Sequence, residues 1–259
     1  MKNFIIGIGG TGAKCLEHLL YCCSSGLGPE QLWAGMIDQD EANGNISRTK
    51  ILLSKYINIR NSLKEEGKSD LSSDSDLFKT LVTSNIDSVW QPIKKGDPNL
   101  EKIINYEMLK TEVKGLVDCL YGPEEKKLNL SKGFRARPNI GAAAILATTS
   151  KIDDPFWSQI YKAIDLARGG EEVKIFIFSS IFGGTGASGF PNIARKIRAI
   201  QKEKQVTSNL YIGGALMLPY FIYDVPDEKM EGELYAKPEE FLDQTKGALH
   251  YYSKLFEYD

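Results

Sequence analysis

The chain has 259 residues, is 42% hydrophobic and 25% charged, and carries a formal net charge of −2. This composition supports a sizeable core without disulfide or metal staples, and it lacks the basic excess with which nucleic-acid-binding domains attract phosphate backbones. No apolar run approaches the ~18 residues that cross a bilayer, the N-terminal Met1-Lys2-Asn3-Phe4-Ile5-Ile6 is too short for a signal sequence, and Cys15, Cys22, Cys23 and Cys119 make no C-x-x-C pair, so buried free thiols in a cytoplasmic protein are expected.

Phe4 to Ile8 is an apolar run of strand character that enters the turn Gly7-Ile8-Gly9-Gly10-Thr11-Gly12. A helix is predicted over Ala13 to Ser24, with Leu16, Leu19, Leu20 and Cys23 on one face, and Gly26-Leu27-Gly28-Pro29 stops it. Leu32 to Ile37 is a second buried strand, ending at Asp38. Strand, turn, helix and strand in this order predict a parallel pair joined by a crossover. Residues 44–132 are charged, serine-rich from Ser69 to Ser75, and helical by pattern over Ile51 to Leu63, Asp76 to Thr83 and Leu100 to Tyr121, with breaks at Trp90-Gln91-Pro92 and Gly96-Asp97-Pro98. They read as an inserted helical layer without site chemistry.

Phe134 to Gly141 is expected as a loop before the small-residue run Ala142 to Ala147. A helix follows over Pro155 to Ala167, capped by Asp153 or Asp154 and ended by Gly169-Gly170. Val173 to Phe178 is a buried strand that leads into a second glycine turn within Ser179 to Gly189, with a helix predicted from Pro191 to Gln201. Leu210 to Leu218 is another strand, residues 219–238 a loop rich in acid and tyrosine, and Phe241 to Phe256 an amphipathic helix. Alternating strands and helices predict an α/β fold, a doubly wound, mostly parallel sheet with helices on both faces, spanning 1–259 as a single nucleotide-binding domain. Both glycine turns then lie at carboxyl ends of strands, where such sheets bind ligands.

Glycines followed by a helix present unpaired N–H groups and a partial positive charge, which together make an anion site. Thr11 and Thr185 could add hydroxyl donors. The first turn alone satisfies G-x-G-x-x-G, and Asp38 stands where a ribose-binding acid would close the next strand, as in dinucleotide folds. It is not a Walker loop, because Ala13 follows Gly12 where that motif needs lysine. An NAD(P)-dependent oxidoreductase has no catalytic constellation here: His18 and His250 sit on the first and last predicted helices. The chain also resembles ATP-dependent adenylating enzymes of the ThiF/MoeB type through Asp38-Gln39-Asp40 and Asn45-Ile46-Ser47-Arg48, but that reading leaves the second glycine turn unexplained.

Gly183-Gly184-Thr185-Gly186-Ala187-Ser188 resembles the signature loop G-G-G-T-G-[ST]-G of the tubulin/FtsZ superfamily, with Phe182 and Ser188 in place of its first and last glycines. Other segments follow in the family's order. Ile6 to Ala13 is similar to its first phosphate loop, and Asp38-Gln39-Asp40-Glu41 to its second nucleotide loop. Arg137-Pro138-Asn139-Ile140-Gly141 resembles the loop N-P-E-V-G that closes over phosphates and ribose, Leu216 to Phe221 a strand end opening the ribose loop, and Gln244 to Leu255 the helix beyond it. The divergent bacterial tubulin-like proteins are the nearest in loop form.

This resemblance implies a GTP- or GDP-binding domain of a polymerising, cytoskeletal GTPase that takes Mg²⁺ and associates with itself head to tail. Gly9, Gly10, Thr11, Gly12, Gly183, Gly184, Thr185, Gly186, Ala187 and Ser188 would then surround the phosphates. Asp38 and Asp40 would face the metal side, Asp40 directly or through water, and Arg137, Pro138, Asn139 and Gly141 would close over the top. Some positions depart from the family: Asn139 replaces its acid, Ala142 its arginine (a charge Arg135 or Arg137 could restore), and Gln244 is the nearest match to its base-contacting asparagine. The chain reaches Asp259 without the family's central helix and C-terminal activation domain, whose acidic loop completes hydrolysis, so incomplete turnover is expected.

Overall fold

The computed structural model describes residues 1–40, 42–65, 77–84, 88–93, 99–131, 133–135, 137–148, 153–220 and 241–257. The first strand, β1 (Lys2–Ile8), lies in the middle of a six-stranded parallel sheet. Helix α1 (Gly9–Ser24) leads to β2 (Gln31–Ile37), and α2 (Gly44–Glu65) precedes the two-residue strands β3 (Leu81–Val82) and β4 (Val89–Trp90). Four helices follow: α3 (Leu100–Ile103), α4 (Thr111–Leu120), α5 (Pro123–Lys127) and α6 (Pro138–Ala147). Then come α7 (Pro155–Arg168), β5 (Val173–Ser180), α8 (Gly184–Glu203), β6 (Leu210–Met217) and α9 (Phe241–Phe256). The strand order is β3-β2-β1-β5-β6, with β4 also paired to β2.

The alternation of β1 explains the two helical layers. Phe4, Ile6 and Ile8 face a core that includes Ile140 of α6, Phe156, Trp157 and Ile160 of α7, and Ile193 and Ile197 of α8. Ile5 points the other way, onto Leu19 of α1 and toward clusters formed by Leu16, Leu20, Ala34 and Leu53. Apolar residues on both sides of one strand need cover on both sides, which is the doubly wound arrangement. Under β2 and β4 the larger core closes around rings, with Trp90 and Trp157 centroids 5.3 Å apart and Phe156 and Trp157 5.4 Å apart.

Several elements differ from the sequence expectation for identifiable reasons. α1 starts at Gly9 rather than Ala13, and α8 at Gly184 rather than Pro191, so the glycines of both turns lie in the first turns of helices. Pro191 therefore sits inside α8. Its ring nitrogen has no hydrogen to give the Ala187 carbonyl, and the Tyr252 hydroxyl of α9 donates to that oxygen instead. Burial drives the Tyr252 phenol well above its ordinary pKa, which keeps that donor in place.

The helix expected over Leu100 to Tyr121 is broken. Asn105 takes a left-handed φ of 52° and starts a single 3-10 turn, Tyr106–Met108, between α3 and α4. The helix expected over Asp76 to Thr83 is replaced where it is described: Leu81 and Val82 pair with β2, and the Thr83 N–H donates to the Leu32 carbonyl. Segment 44–132 thus lends two short strands to the sheet besides its helices. Residues 137–141, expected in a loop, open α6, with Pro138 at the position where proline costs a helix nothing. Asp154, not Asp153, caps α7. Cys23 is buried, but Cys22 and Cys119 are exposed, contrary to the expectation of buried thiols. Ser69 to Ser75, Gly96-Asp97-Pro98 and most of 219–238 lie outside the described residues.

Gly12 shows how tightly α1 is laid on the sheet. A β-carbon there would lie 2.6 Å from the Phe178 carbonyl oxygen, whereas one at Gly115, in the exposed α4, meets nothing within 4 Å. Gly12→Ala should destabilise the protein by about 1–3 kcal/mol, and Gly115→Ala should stabilise it by roughly 0.5–1 kcal/mol. Urea unfolding of the two variants beside the wild type checks both signs.

Candidate functional site

The chain leaves β1 toward β2 and β3 on one side and later returns to β5 and β6 on the other. The crevice where these directions diverge, at the carboxyl ends of β1 and β5, is where doubly wound sheets take ligands. Both α1 and α8 begin there. Neither N-cap, Ile8 or Gly183, gives its helix a side-chain hydrogen bond, and neither helix has an acid in its first turn. The contrast is local: Asn99 caps α3 and Asp154 caps α7 with their side-chain oxygens. Among the described residues, the first N–H groups of α1 and α8 therefore have no capping side chain, and they carry the positive ends of two helix dipoles.

The two starts almost touch. Gly9 has φ +71°, which ordinary side chains rarely adopt, and a β-carbon on it would lie 3.5 Å from the Gly186 nitrogen and 3.6 Å from the Thr185 β-carbon. Beside them, at the end of β2, Asp38 is only 4% exposed. Its Oδ1 accepts from the Thr185 hydroxyl at 3.3 Å and the Asp40 N–H at 3.2 Å, and its Oδ2 from the Asn43 amide at 2.9 Å. Burial pushes its pKa from an ordinary 3.8 up to about 6, against the lowering effect of these hydrogen bonds and with a smaller push from the Asp40 charge.

Asp40 is half-buried, and one of its carboxylate oxygens accepts the Ala42 N–H at 3.0 Å. Thr11 places its hydroxyl 3.4 Å from that of Tyr220, and the Lys14 ammonium lies 5.5 Å from the Tyr220 ring centroid. These three residues line a groove of about 660 Å³ that runs along α1 past Cys15 and His18 to Met217.

The remaining sequence-selected residues are placed differently. Gly186 is pressed onto β5, where a β-carbon would lie 2.6 Å from the Ser180 carbonyl oxygen. The Ser188 hydroxyl donates back to the Gly184 carbonyl at 2.6 Å, and Ser188 packs against Gly141, where a β-carbon would come within 2.4 Å of its oxygen. The Ala187 carbonyl is taken by Tyr252. Ala187, Ser188 and Gly141 therefore build the contacts of α8 with α9 and α6. The Arg137 guanidinium pairs with Glu125 at 2.6 Å, and exposed Asn139 accepts the Tyr121 hydroxyl at its carbonyl, 3.3 Å away.

Two polar residues near the site escaped the sequence reading. Asn43 bonds Asp38, accepts the Asn45 N–H at 3.0 Å, and would lie 2.7 Å from a β-carbon on Gly10, so it joins the first glycine turn to the carboxylate. Gln39 exchanges two hydrogen bonds with the Ile93 backbone, 2.7 and 3.2 Å long, and fixes the chain beyond β2. The one sequence signal for Asn43 is an Asx-type residue in the turn before a helix, which usually means a local backbone bond. Among the described residues no group of three or more His, Cys, Asp or Glu side chains is placed to hold a metal by itself, and no helix is long and apolar enough to cross a membrane.

An all-parallel, doubly wound sheet with two uncapped helix starts at its switch point defines an α/β domain with the geometry of an anion site. A family model described as tubulin-like matches residues 119–236, and this match supports assignment of the chain to the tubulin-like superfamily. The matched stretch runs from the end of α4 through β6 and includes the second glycine turn. No curated protein and no solved structure matches the chain.

The raised pKa of Asp38 makes stability depend on pH with a defined sign. The folded protein holds its proton more tightly than the unfolded chain, so this contribution is complete below about pH 3.8 and is lost as pH rises through about 6. Between about pH 4 and 7 the wild type should lose about 2 kcal/mol of stability relative to Asp38→Asn, which does not titrate. Urea unfolding of both proteins across that range measures the difference.

Proposed function

We propose that residues 1–259 act as a single nucleotide-binding domain of a cytoplasmic tubulin/FtsZ-like GTPase, binding GTP or GDP with Mg²⁺ and associating with further copies of itself. The observation that carries this reading is the meeting of two uncapped helix starts at Gly9 and Gly186. One such start accommodates one phosphate group. Two, side by side and without side chains in the way, suit a polyphosphate. Guanine and self-association rest on the tubulin-like match.

In this reading the N–H groups of Gly9, Gly10, Thr11 and Gly12 hold one end of the phosphate chain, and those of Gly184, Thr185 and Gly186 the other. Gly183 leaves the approach open. The Thr185 hydroxyl is kept at the site by Asp38. The groove along α1, with Tyr220 on its rim, offers room for the nucleoside.

The donor set also fits Mg²⁺, which takes one or two carboxylates plus phosphate oxygens and keeps several waters. Asp38 and Asp40 are adjacent hard oxygen ligands at the edge of the anion site, and Asp40 is the more accessible. When bound, the ion offsets phosphate charge that would otherwise be repelled by these carboxylates. Arg137 is held by Glu125 and would need to exchange partners to reach a phosphate.

Calorimetric titration with GTP, GDP, ATP and NAD in millimolar Mg²⁺ tests the proposal. GTP and GDP should bind saturably, and Gly10→Val and Gly184→Val should each weaken binding tenfold or more, about 1.4 kcal/mol, with the fold retained by circular dichroism. Loss in Gly10→Val alone would return the chain to a one-turn dinucleotide or adenylate site. A clear preference for ATP or NAD would remove the guanine assignment.

A further inference from the structure

The start of α1 has two different sides. Thr11 faces Tyr220 and the groove that offers room for a nucleoside. Gly10 faces the start of α2 instead: a β-carbon on it would lie 2.7 Å from the Asn43 amide nitrogen and 3.1 Å from that of Asn45. A nucleotide whose nucleoside lies in the groove ends its phosphate chain on the Gly10 side, beside Asp38 and the first turns of α2.

That side also holds a guanidinium. Asn45, Arg48 and Thr49 follow one another at three- and four-residue spacing, so they share one face of α2. The face is laid on α1, since the buried Thr49 donates its hydroxyl hydrogen bond to the Ala13 carbonyl at 2.9 Å. Helical side chains lean toward the helix start, and Arg48 reaches back in this way to donate from Nη2 to the Asn45 side-chain oxygen at 2.5 Å. One side chain, Asn45, therefore spans from the guanidinium to the first glycine turn.

The other contact of Arg48 is loose. Its Nε lies 3.7 Å from a Glu17 carboxylate oxygen, and its side chain is 59% exposed. An exposed pair at that distance contributes little to stability, so the guanidinium changes partner at small cost. Among the described residues its Nη1 has no partner. Arg137 is held more tightly, at 2.6 Å by Glu125, and Lys14 lies on the groove side, 5.5 Å from the Tyr220 ring centroid.

We propose that Arg48 is the residue by which this site distinguishes a nucleoside triphosphate from a diphosphate. The guanidinium turns from Glu17 to the terminal phosphate, and Asn45 acts as its positioning residue. A triphosphate reaches one phosphate farther toward Gly10, where Asp38 and Asp40 repel it and a planar fork of N–H donors matches two phosphate oxygens at once. The inference rests on the nucleotide reading of the two glycine turns and does not depend on which base is bound.

Calorimetric titration with GTP and GDP in millimolar Mg²⁺, with ATP and ADP alongside to separate phosphate from base, tests it. The wild type should bind a triphosphate at least about tenfold more tightly than the matching diphosphate. Arg48→Gln should weaken the triphosphate by about tenfold or more and the diphosphate by less than about threefold, and Arg48→Lys, which keeps the charge and loses the fork, should fall between. Glu17→Gln breaks the same ion pair from its other end and should keep the triphosphate preference, which separates phosphate contact from a purely structural role. Urea unfolding confirms that each variant is folded. The inference is overturned if the wild type shows no preference, if Arg48→Gln weakens both nucleotides alike or neither, or if Glu17→Gln abolishes the preference as fully as Arg48→Gln. Those results, with nucleotide still bound by the wild type, leave the two-turn site standing; a wild type that binds no nucleotide removes both.

Discussion

Two α-helices that start side by side bring like partial charges together, because each carries a positive field at its first turn. α1 and α8 do this across adjacent strands, and neither has an acid of its own to soften the field. The compensating charge comes from a third element, Asp38 at the end of β2, through its bond from Thr185. Burial raises the pKa of that carboxylate to about 6, so it is a counter-charge at neutral pH that weakens as the pH falls through that value. The backbone N–H groups at the two helix starts still point outward, and these are what an added anion can engage.

The rest of the packing holds this junction at its required closeness. α8 is the common member: it meets β5 at Gly186, α6 at Ser188 and Gly141, and α9 at Ala187. Proline inside a helix normally costs about 3 kcal/mol, from a lost hydrogen bond and a clash with the preceding turn. Here the carbonyl it leaves unpaired becomes the anchor for Tyr252, so the irregularity ties a distant helix to the site's scaffold. Gln39 does similar work on the other flank, where it locks the end of β2 to the chain beyond β4.

Periodicity located the parallel sheet and its long helices because both faces of β1, β2 and β5 must be apolar, and that requirement is written in the residues themselves. Element starts were less legible. Glycine-rich stretches read as turns, yet Gly9–Gly12 and Gly184–Gly186 are helical, since a ladder of backbone bonds outweighs low propensity once the helix is packed. β3 and β4 had no pattern to find, being two residues each and made by pairing with β2. At the site, Asp38 and the glycines stood out by motif. Asn43 did not, because its role depends on reaching back to Asp38 and across to Gly10, which no local spacing encodes. Arg137 shows the converse: its position suggested a phosphate contact, and a neighbouring glutamate holds it instead.

The bond between Thr185 and Asp38 joins residues 147 apart in the chain. β1 is made first in the sequence, but its partner β5 arrives only after α2 to α7 have been laid down. Closing so long a loop is paid in chain entropy before the contact gives anything back, which slows folding. The junction therefore exists only once the middle of the sheet has formed. A ligand that needs both helix starts recognises the folded molecule alone, and by mass action it stabilises the whole sheet rather than a loop.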